Sequence, residues 1–367
     1  MYAGKVPDAK TLGRQALSLG PEVIEQIQQR MVELAVDNQV LPGRRMRVDT
    51  TVVETNIHYP TDSSLLGDGT RVLPRLMKKV TVLTGAAGTK MRDRRRSVKL
   101  RVLDIARAAR SKAPQSQEKL KQGYGKLLDS VGRVVGQAKR FSQEICEGVK
   151  RCSDFMQQAV LEGLRQEIDT MLPRVKQVIQ QTKARIVGGD THTEGKVFSI
   201  FEPSTEIIRK GKAGKPNEFG KMVQVQEAEN QIVTGYEVYD QRPSDRDLLI
   251  PALATHEQRT GRQPDLAAAD AGFFSAKNEA AARQLGVKQV SVPNRSTKSA
   301  ERRRYQKQRW FKKGQKWRTG CEGRISVLKR RHGLDRCRYK GEAGLKRYVG
   351  LGIIADNLIN IGKAMAK

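Results

Sequence analysis

The feature that most constrains the fold is a long helical stretch that separates one predicted strand from all the others. Around Asp49 a period-two pattern places Val48 and Val52 on one side of a strand and Asp49 and Val53 on the other. From about residue 71 to residue 185 such patterns vanish, and apolar residues recur at three- to four-residue steps instead. The chain therefore predicts a sheet whose first strand is followed by an all-helical insertion.

Strand patterns return after residue 195. The predicted elements are, in order, a strand at 196–202, a hairpin that turns near residues 229–230, a helix capped by Ser244, a strand ending in Asp270, a helix, a strand, a basic linker and a helix containing Glu322. A helix is also predicted from Pro21 to Val36, a loop over residues 56–70, and a helix break near Pro173.

The net charge of the chain indicates which class of molecule it binds. The chain has 69 Lys and Arg against 39 Asp and Glu, a net charge of +30. Such an excess repels itself unless a polyanion neutralises it, so nucleic acid is the leading partner and a basic membrane-surface protein the alternative. No apolar run of about eighteen residues and no apolar leader are present, so we expect a cytoplasmic protein that does not span a membrane.

Two spacing patterns that are absent limit the cofactors that we expect this chain to bind. The four cysteines and four histidines show no paired spacing, which argues against a zinc site. The segment with Gly85 and Gly88 is one residue short of phosphate-loop spacing, so we expect no nucleotide cofactor.

Three carboxylates stand at positions that suit metal chemistry. Asp49 lies within a strand, Asp270 at the carboxyl end of a strand, and Glu322 on a late helix, as expected for a site above a central sheet. Oxygen ligands suit a pair of Mg²⁺ ions, with Mn²⁺ as a substitute, and such a pair supports phosphoryl displacement. Each carboxylate alone also has a structural interpretation, which for Glu322 is a surface ion pair with Arg318.

The segment before and around Glu322 is basic and aromatic. On a helix, Arg318 and Lys329 project about 40° and 20° from Glu322, so the three side chains share a face. The other candidate phosphate contacts are Arg302, Arg303, Arg304, Lys307, Arg309, Lys312, Lys313, Lys316, Arg330 and Arg331. Trp310 and Trp317 either stack on an unpaired base or anchor the segment in the core. A further basic stretch, residues 91–101, is either a phosphate-contacting face or a solvated helix end.

Several segments resemble the DDE transposases of bacterial insertion sequences, closest to the ISNCY-like group and its relatives. They are RVDTTVVETNIHYPTDSSLLGDG around Asp49, GKAGKPNEFGKMVQV, RPSDRDLL, AADAGFFSAKNE around Asp270 and RTGCEGRISVLKRRHGLDRCRYKG around Glu322. In the family's third motif, Y-x2-R-x3-E-x6-K, Arg318, Glu322 and Lys329 match, but Gln315 replaces the tyrosine. Asp270-Ala271-Gly272-Phe273 stands where the family has Asp-Arg-Gly-Tyr.

The resemblance implies an RNase H-like α/β core, a mixed sheet flanked by helices and split by a helical insertion. The expected segments are an N-terminal helical segment (1–40), the first part of the core (41–70), the insertion (71–190) and the remaining core with C-terminal helices (191–367). It also implies that Asp49, Asp270 and Glu322 ligate the metals.

The implied partners are double-stranded DNA, namely the terminal repeats of the element and the target, and further copies of the chain assembled on paired ends. The implied reaction is hydrolysis at the ends of the element, which exposes a 3′-hydroxyl that then attacks the target. The alternative is an inactive or co-opted transposase derivative that only binds DNA; the retained carboxylates favour activity, and Gln315 favours the alternative.

Overall fold

The computed structural model describes residues 8–209 and 216–366, which form two compact units. One unit contains the chain up to Asn56 and from Glu206 onward, and the other contains Ile57–Thr205. The first unit is mixed α/β and the second is helical, so the predicted α/β fold with a helical insertion is confirmed. None of the helices in the described ranges is both long and apolar enough to cross a bilayer.

In the described ranges, the mixed unit contains a sheet of six strands. They are β1 (Arg45–Glu54), β2 (Glu206–Ile208), β3 (Glu218–Glu227), β4 (Val233–Val238), β5 (Leu266–Ala268) and β6 (Gln289–Ser291). β1 is central because it pairs antiparallel with β3 on one edge and parallel with β5 on the other. β2 and β4 share the far edge of β3, and β6 runs parallel to β5.

Helices cover both faces of this sheet. In the mixed unit they are α1 (Ala9–Ser18), α2 (Pro21–Asp37), α7 (Leu249–Thr260), α8 (Ala276–Gln284), α9 (Ala300–Lys307), α10 (Arg309–Arg331) and α11 (Gly341–Met365). On one face Val48 and Val52 pack with Leu253 of α7. On the other face Val53 packs with Val349 of α11. The alternation predicted for β1 is thus confirmed, with both faces buried.

The helical unit consists of α3 (Asp62–Thr84), α4 (Arg95–Arg110), α5 (Ser116–Cys146) and α6 (Phe155–Gly188). Its core includes Leu73, Leu127, Phe141 and Ile168, all fully buried. α6 continues through Pro173, so the predicted break there is wrong. Leu172 and Val175 on either side of the proline are buried in this core, and their packing outweighs the lost backbone hydrogen bond.

Two more local predictions are wrong because side chains supply hydrogen bonds. The loop predicted for residues 56–70 ends at Thr61, whose hydroxyl accepts from the backbone N–H of Ser64 and starts α3. Residues 196–202 are not a strand: Gln181 of α6 bonds both backbone groups of Val197, and Arg174 donates to the carbonyl of Ile200.

The predicted Ser244 cap is also wrong. Ser244 precedes a single 3₁₀ turn, Asp245–Asp247, without a side-chain capping bond, and α7 begins only at Leu249. The hairpin predicted near residues 229–230 is confirmed between β3 and β4, with Asn230 at φ 54° in its turn.

Gly220 shows how closely the strands approach. This residue of β3 pairs with Glu54 of β1, and a Cβ atom there would lie 2.7 Å from the Glu54 Cα and 2.8 Å from the Val53 carbonyl carbon. We expect Gly220→Ala to lower the free energy of unfolding by about 1–3 kcal/mol, measured by urea denaturation. Gly362→Ala in α11 meets no atom within 4 Å and should stabilise by up to about 1 kcal/mol. Equal effects of the two changes would contradict this packing.

His256 of α7 makes the fold acid-sensitive. It is fully buried, and its Nε2 lies 2.9 Å from the carbonyl oxygen of Gly43, which accepts the hydrogen bond. Burial lowers the pKa of the imidazole below its ordinary 6.5. The unfolded chain therefore binds more protons below pH 6.5, and stability is lost as the pH falls from there. Between pH 7 and pH 5, the midpoint of thermal unfolding should fall less for His256→Gln than for wild type. Parallel plots of midpoint against pH would refute this.

Candidate active site

The parallel register of β1 and β5 brings two of the predicted carboxylates to the same end of the sheet. Arg47 is paired with Ala268 in the last pair of this ladder, and Asp49 and Asp270 each follow that pair by two residues. Neighbouring strands lie about 5 Å apart. Asp49 is half-buried in β1, and Asp270 lies just beyond the carboxyl end of β5. A site at this edge thus receives carboxylates from two adjacent strands.

Arg318 of α10 connects Asp49 with the third carboxylate. Its guanidinium lies 3.3 Å from Asp49 Oδ2 and 2.7 Å from Glu322 Oε1. The Arg318 side chain is only 14% exposed, whereas that of Glu322 is 57% exposed. One buried cation is thus shared by a strand carboxylate and a solvent-facing helix carboxylate. The surface ion pair considered for Glu322 from the sequence exists, but it is one half of this bridge.

Asp270 is held by a tight turn that also brings in a fourth carboxylate. Asp270 Oδ1 accepts from the backbone N–H of Gly272 at 2.8 Å. A Cβ atom at Gly272 would meet Asp270 Oδ1 at 3.1 Å and Asp245 Oδ2 at 3.2 Å, so both carboxylates face the same small space. Asp245 Oδ1 lies 3.5 Å from the hydroxyl of Thr50, the residue after Asp49.

The sequence interpretation missed the position of Asp245. Ser244 with an acidic residue three positions later suggested a helix cap, so this segment was interpreted as local structure. The signal that could have found it is the density of carboxylates, because Asp245 and Asp247 stand in one short turn between the hairpin and the Asp270 strand.

Gln315 has a definite role where the resembled motif carries a tyrosine. Its amide nitrogen lies 3.2 Å from the carbonyl oxygen of Ala269 and 3.1 Å from the hydroxyl of Ser291. It therefore joins α10 to the ends of β5 and β6, one residue before Asp270. The Gln315 side chain thus supports the backbone that presents Asp270.

A buried charge network fixes α10 against the sheet. Arg47 of β1 donates Nε to Glu227 of β3 at 3.0 Å, and its second guanidinium nitrogen also bonds that carboxylate. Arg324 of α10 donates to both oxygens of Asp356 of α11 at 2.9 Å. Arg324 Nε lies 3.9 Å from Glu227, which joins the two pairs. Burial raises the pKa of the Glu227 carboxyl, and the Arg47 hydrogen bond opposes that rise.

Gly320 permits this approach of strand and helix. A Cβ atom at position 320 would lie 2.8 Å from the guanidinium carbon of Arg47. Arg47 also donates to the backbone carbonyl of Trp317. A side chain at position 320 would therefore displace the Arg47 guanidinium, which bonds Glu227 and the Trp317 carbonyl.

The tryptophans pack within the mixed unit. The Trp317 ring lies under two arginines of β1, with guanidinium carbons 4.8 Å (Arg47) and 5.2 Å (Arg45) from the ring centroid. Trp310 makes edge contacts with Tyr305 and Phe311 at 5.3 and 5.5 Å. These contacts favour the anchoring interpretation of both rings.

The Lys and Arg side chains that the sequence predicts as phosphate contacts fall into two groups. Arg302 is engaged internally, since it pairs with Glu279 at 2.6 Å and donates to the carbonyl of Val292 at 2.8 Å. Lys329 donates to the carbonyl of Val52 at 2.8 Å. The other predicted side chains are exposed and form a band along α9 and α10: Arg303, Arg304, Lys307, Arg309, Lys312, Lys313, Lys316, Arg330 and Arg331.

The donor set suits a hard divalent cation. Asp49, Asp270 and Glu322 offer only carboxylate oxygens, and a cationic side chain already bonds two of them. Across residues 8–209 and 216–366, no three Asp, Glu, His or Cys side chains are grouped closely enough to hold a metal ion as they stand. The convergence of all three carboxylates around a shared metal pair stays a prediction.

Comparison with known proteins gives one match. Residues 192–358 match the family model described as the transposase DDE domain. This range includes Asp270, Glu322, Arg318 and Gln315, and it begins after the strand that carries Asp49. No curated protein and no solved structure matches the chain.

The Arg318 bridge predicts competition between the guanidinium and a divalent cation. Both require the oxygens of Asp49 and Glu322, so removing Arg318 should strengthen metal binding in the absence of DNA. We expect Arg318→Gln to bind Mn²⁺ at least about tenfold more tightly than wild type, measured by electron paramagnetic resonance. Arg309→Gln removes an exposed charge from the same helix and serves as the control. The competition is disproved if the two variants bind Mn²⁺ equally.

Proposed function

We propose that this chain, a DDE transposase of the insertion-sequence type by its match to that domain, cleaves DNA at the ends of an element and joins those ends to a target, with Asp49, Asp270 and Glu322 as its catalytic residues. The observation that best supports the proposal is the shared edge of β1 and β5. The last pair of that ladder, Arg47 with Ala268, lies two residues before both Asp49 and Asp270, and Arg318 bonds both Asp49 and Glu322.

Two divalent metal ions, Mg²⁺ or Mn²⁺, would be held by Asp49, Asp270 and Glu322. When bound, they would activate the attacking oxygen and stabilise the leaving oxygen of an in-line phosphoryl displacement. In the first reaction a water oxygen would attack the phosphorus at the end of the element, the bond from phosphorus to the 3′-oxygen would break, and that oxygen would take up a proton to become a free 3′-hydroxyl. In the second, that hydroxyl oxygen attacks a target phosphodiester, one P–O bond forms, and the target 3′-oxygen departs with a proton.

The chain's own residues position these groups. Gln315 holds the backbone at Ala269 and so presents Asp270. The buried pairs Arg47 with Glu227 and Arg324 with Asp356 hold α10, and with it Glu322, at a set distance from β1. Asp49 is oriented by the backbone N–H of Thr50, 2.8 Å from its Oδ1. Backbone or buried contacts thus hold Asp49, Asp270 and the helix that carries Glu322, and such support would help to preorganise the site.

Arg318 connects the metal ligands with the substrate. If Asp49 and Glu322 held a metal ion, the Arg318 guanidinium would need another anionic partner, and a DNA phosphate would offer a bidentate one. The exposed band on α9 and α10 would hold the backbone on either side through contacts that carry no sequence information. DNA binding and metal binding should therefore strengthen each other at this site.

We expect Asp270→Asn to abolish metal-dependent nicking of DNA that carries the ends of the element, while binding to that DNA stays within about twofold of wild type. The reason is that the substitution removes a charged metal ligand but keeps the shape of the turn and all phosphate-contacting cations. Nicking is measured on end-labelled duplexes with Mg²⁺ or Mn²⁺.

Asp265→Asn provides the matched control. Asp265 precedes β5 and pairs with Lys288 and Arg262, away from the strand end that carries Asp270. It should retain full nicking activity. If Asp270→Asn nicks as fast as Asp265→Asn, the assignment of Asp270 fails. If wild-type protein binds the ends without nicking them, the catalytic proposal fails as a whole.

A further inference from the structure

The helical unit carries a stretch of positive charge that the catalytic assignment does not use. From Lys90 to Arg110 the chain has nine basic and two acidic residues. Both acidic residues are paired within the stretch: Asp93 with Arg95 at 2.9 Å and Asp104 with Arg107 at 3.5 Å. The cations therefore outnumber the carboxylates that their own segment supplies.

This stretch is attached to the helical unit by few core contacts. Within α4 only Val98 and Ile105 are buried, so most of its surface faces solvent. The segment before α4 is fixed on α5, because the backbone N–H of Thr89 donates to the Glu144 carboxylate at 3.0 Å. The Gln137 amide of α5 donates to the backbone carbonyl of Arg92 at 3.3 Å and accepts from the backbone N–H of Arg92 at 3.1 Å. The cations thus project from a backbone that is held in place.

Arg92, Arg101 and Arg133, the last of them on α5, lie close enough to Arg94 for their charges to act on its guanidinium. Arg92 and Arg133 are exposed, and Arg94 and Arg101 are partly buried. The Nε atom of Arg94 is buried and has no hydrogen-bond partner among the described residues. Partial burial and the neighbouring charges of Arg92, Arg133 and Arg101 lower the pKa of Arg94. Like charges held together destabilise the fold, so this arrangement suits an anion that binds from outside.

We propose that Arg92, Arg94, Arg101 and Arg133 form a second DNA-binding surface, which contacts the phosphate backbone of duplex DNA from the helical unit. The proposal rests on the proposed function, because it adds a contact site to a protein that acts on DNA. The charge complementarity is direct, because guanidinium groups bind phosphate oxygens bidentately and a duplex carries a phosphate at every nucleotide. Such contacts are independent of base sequence.

The test compares two double variants of the full chain on a short fluorescent duplex of random sequence. Arg92→Gln with Arg133→Gln removes two exposed members of the cluster. Arg107→Gln with Arg110→Gln removes two exposed charges from the last turn of α4 and serves as the control. Affinity is measured by fluorescence anisotropy over a series of salt concentrations. We expect the plot of log association constant against log salt concentration to be less steep by about two for the first variant than for wild type. The control should keep the wild-type slope.

Thermal unfolding provides a readout that separates binding from folding. Removal of two like charges beside Arg94 should leave the midpoint unchanged or raise it, while DNA affinity falls. Equal slopes for the two double variants would overturn the second surface, and so would a loss of affinity accompanied by a lower midpoint. Nicking by wild-type protein tests the proposed function separately: active nicking with an unchanged slope would reject only the surface on the helical unit.

Discussion

The candidate site depends on a buried network of arginines and carboxylates that joins the central strand to the helix carrying Glu322. Arg47 bonds Glu227 across two strands, and Arg324 bonds Asp356 across two helices. Loss of one partner from a buried ion pair costs about 3–5 kcal/mol, because the other charge is left without compensation. The same network sets the distance between α10 and β1. Arg318 can therefore reach Asp49 only where this network holds.

The basic residues of the chain are of two kinds, those that bond groups inside the protein and those that face solvent. Inside the mixed unit, Arg47, Arg302 and Arg324 bond carboxylates and backbone carbonyls. The exposed cations of α9 and α10, and those at the start of α4, have no comparable supply of nearby carboxylates in their own segments. Net charge alone indicated a polyanionic partner, but it did not distinguish structural arginines from those that face outward.

Much of the fold was predictable because the signals were local. β1, the hairpin and the helical insertion show clear periodicity, and the strand before Asp270 is a short apolar run. Two of the failures share a cause, which is that side chains from another element took over backbone hydrogen bonds or packing. Gln181 and Arg174 bond the backbone at residues 197–200 and replace a strand. Core packing on both sides of Pro173 keeps α6 continuous.

For the candidate site, the sequence by itself determined the chemical types and their elements: carboxylates at Asp49 and Asp270 on strands and at Glu322 on a basic helix. Only the tertiary structure decided which contacts these groups make. The β1–β5 ladder ends two residues before both Asp49 and Asp270, Arg318 of α10 bonds the carboxylates of Asp49 and Glu322, and a turn brings Asp245 to Gly272. The physical reason is that hydrophobic periodicity encodes which face of an element is buried, whereas strand register and helix approach depend on contacts between residues far apart in the chain.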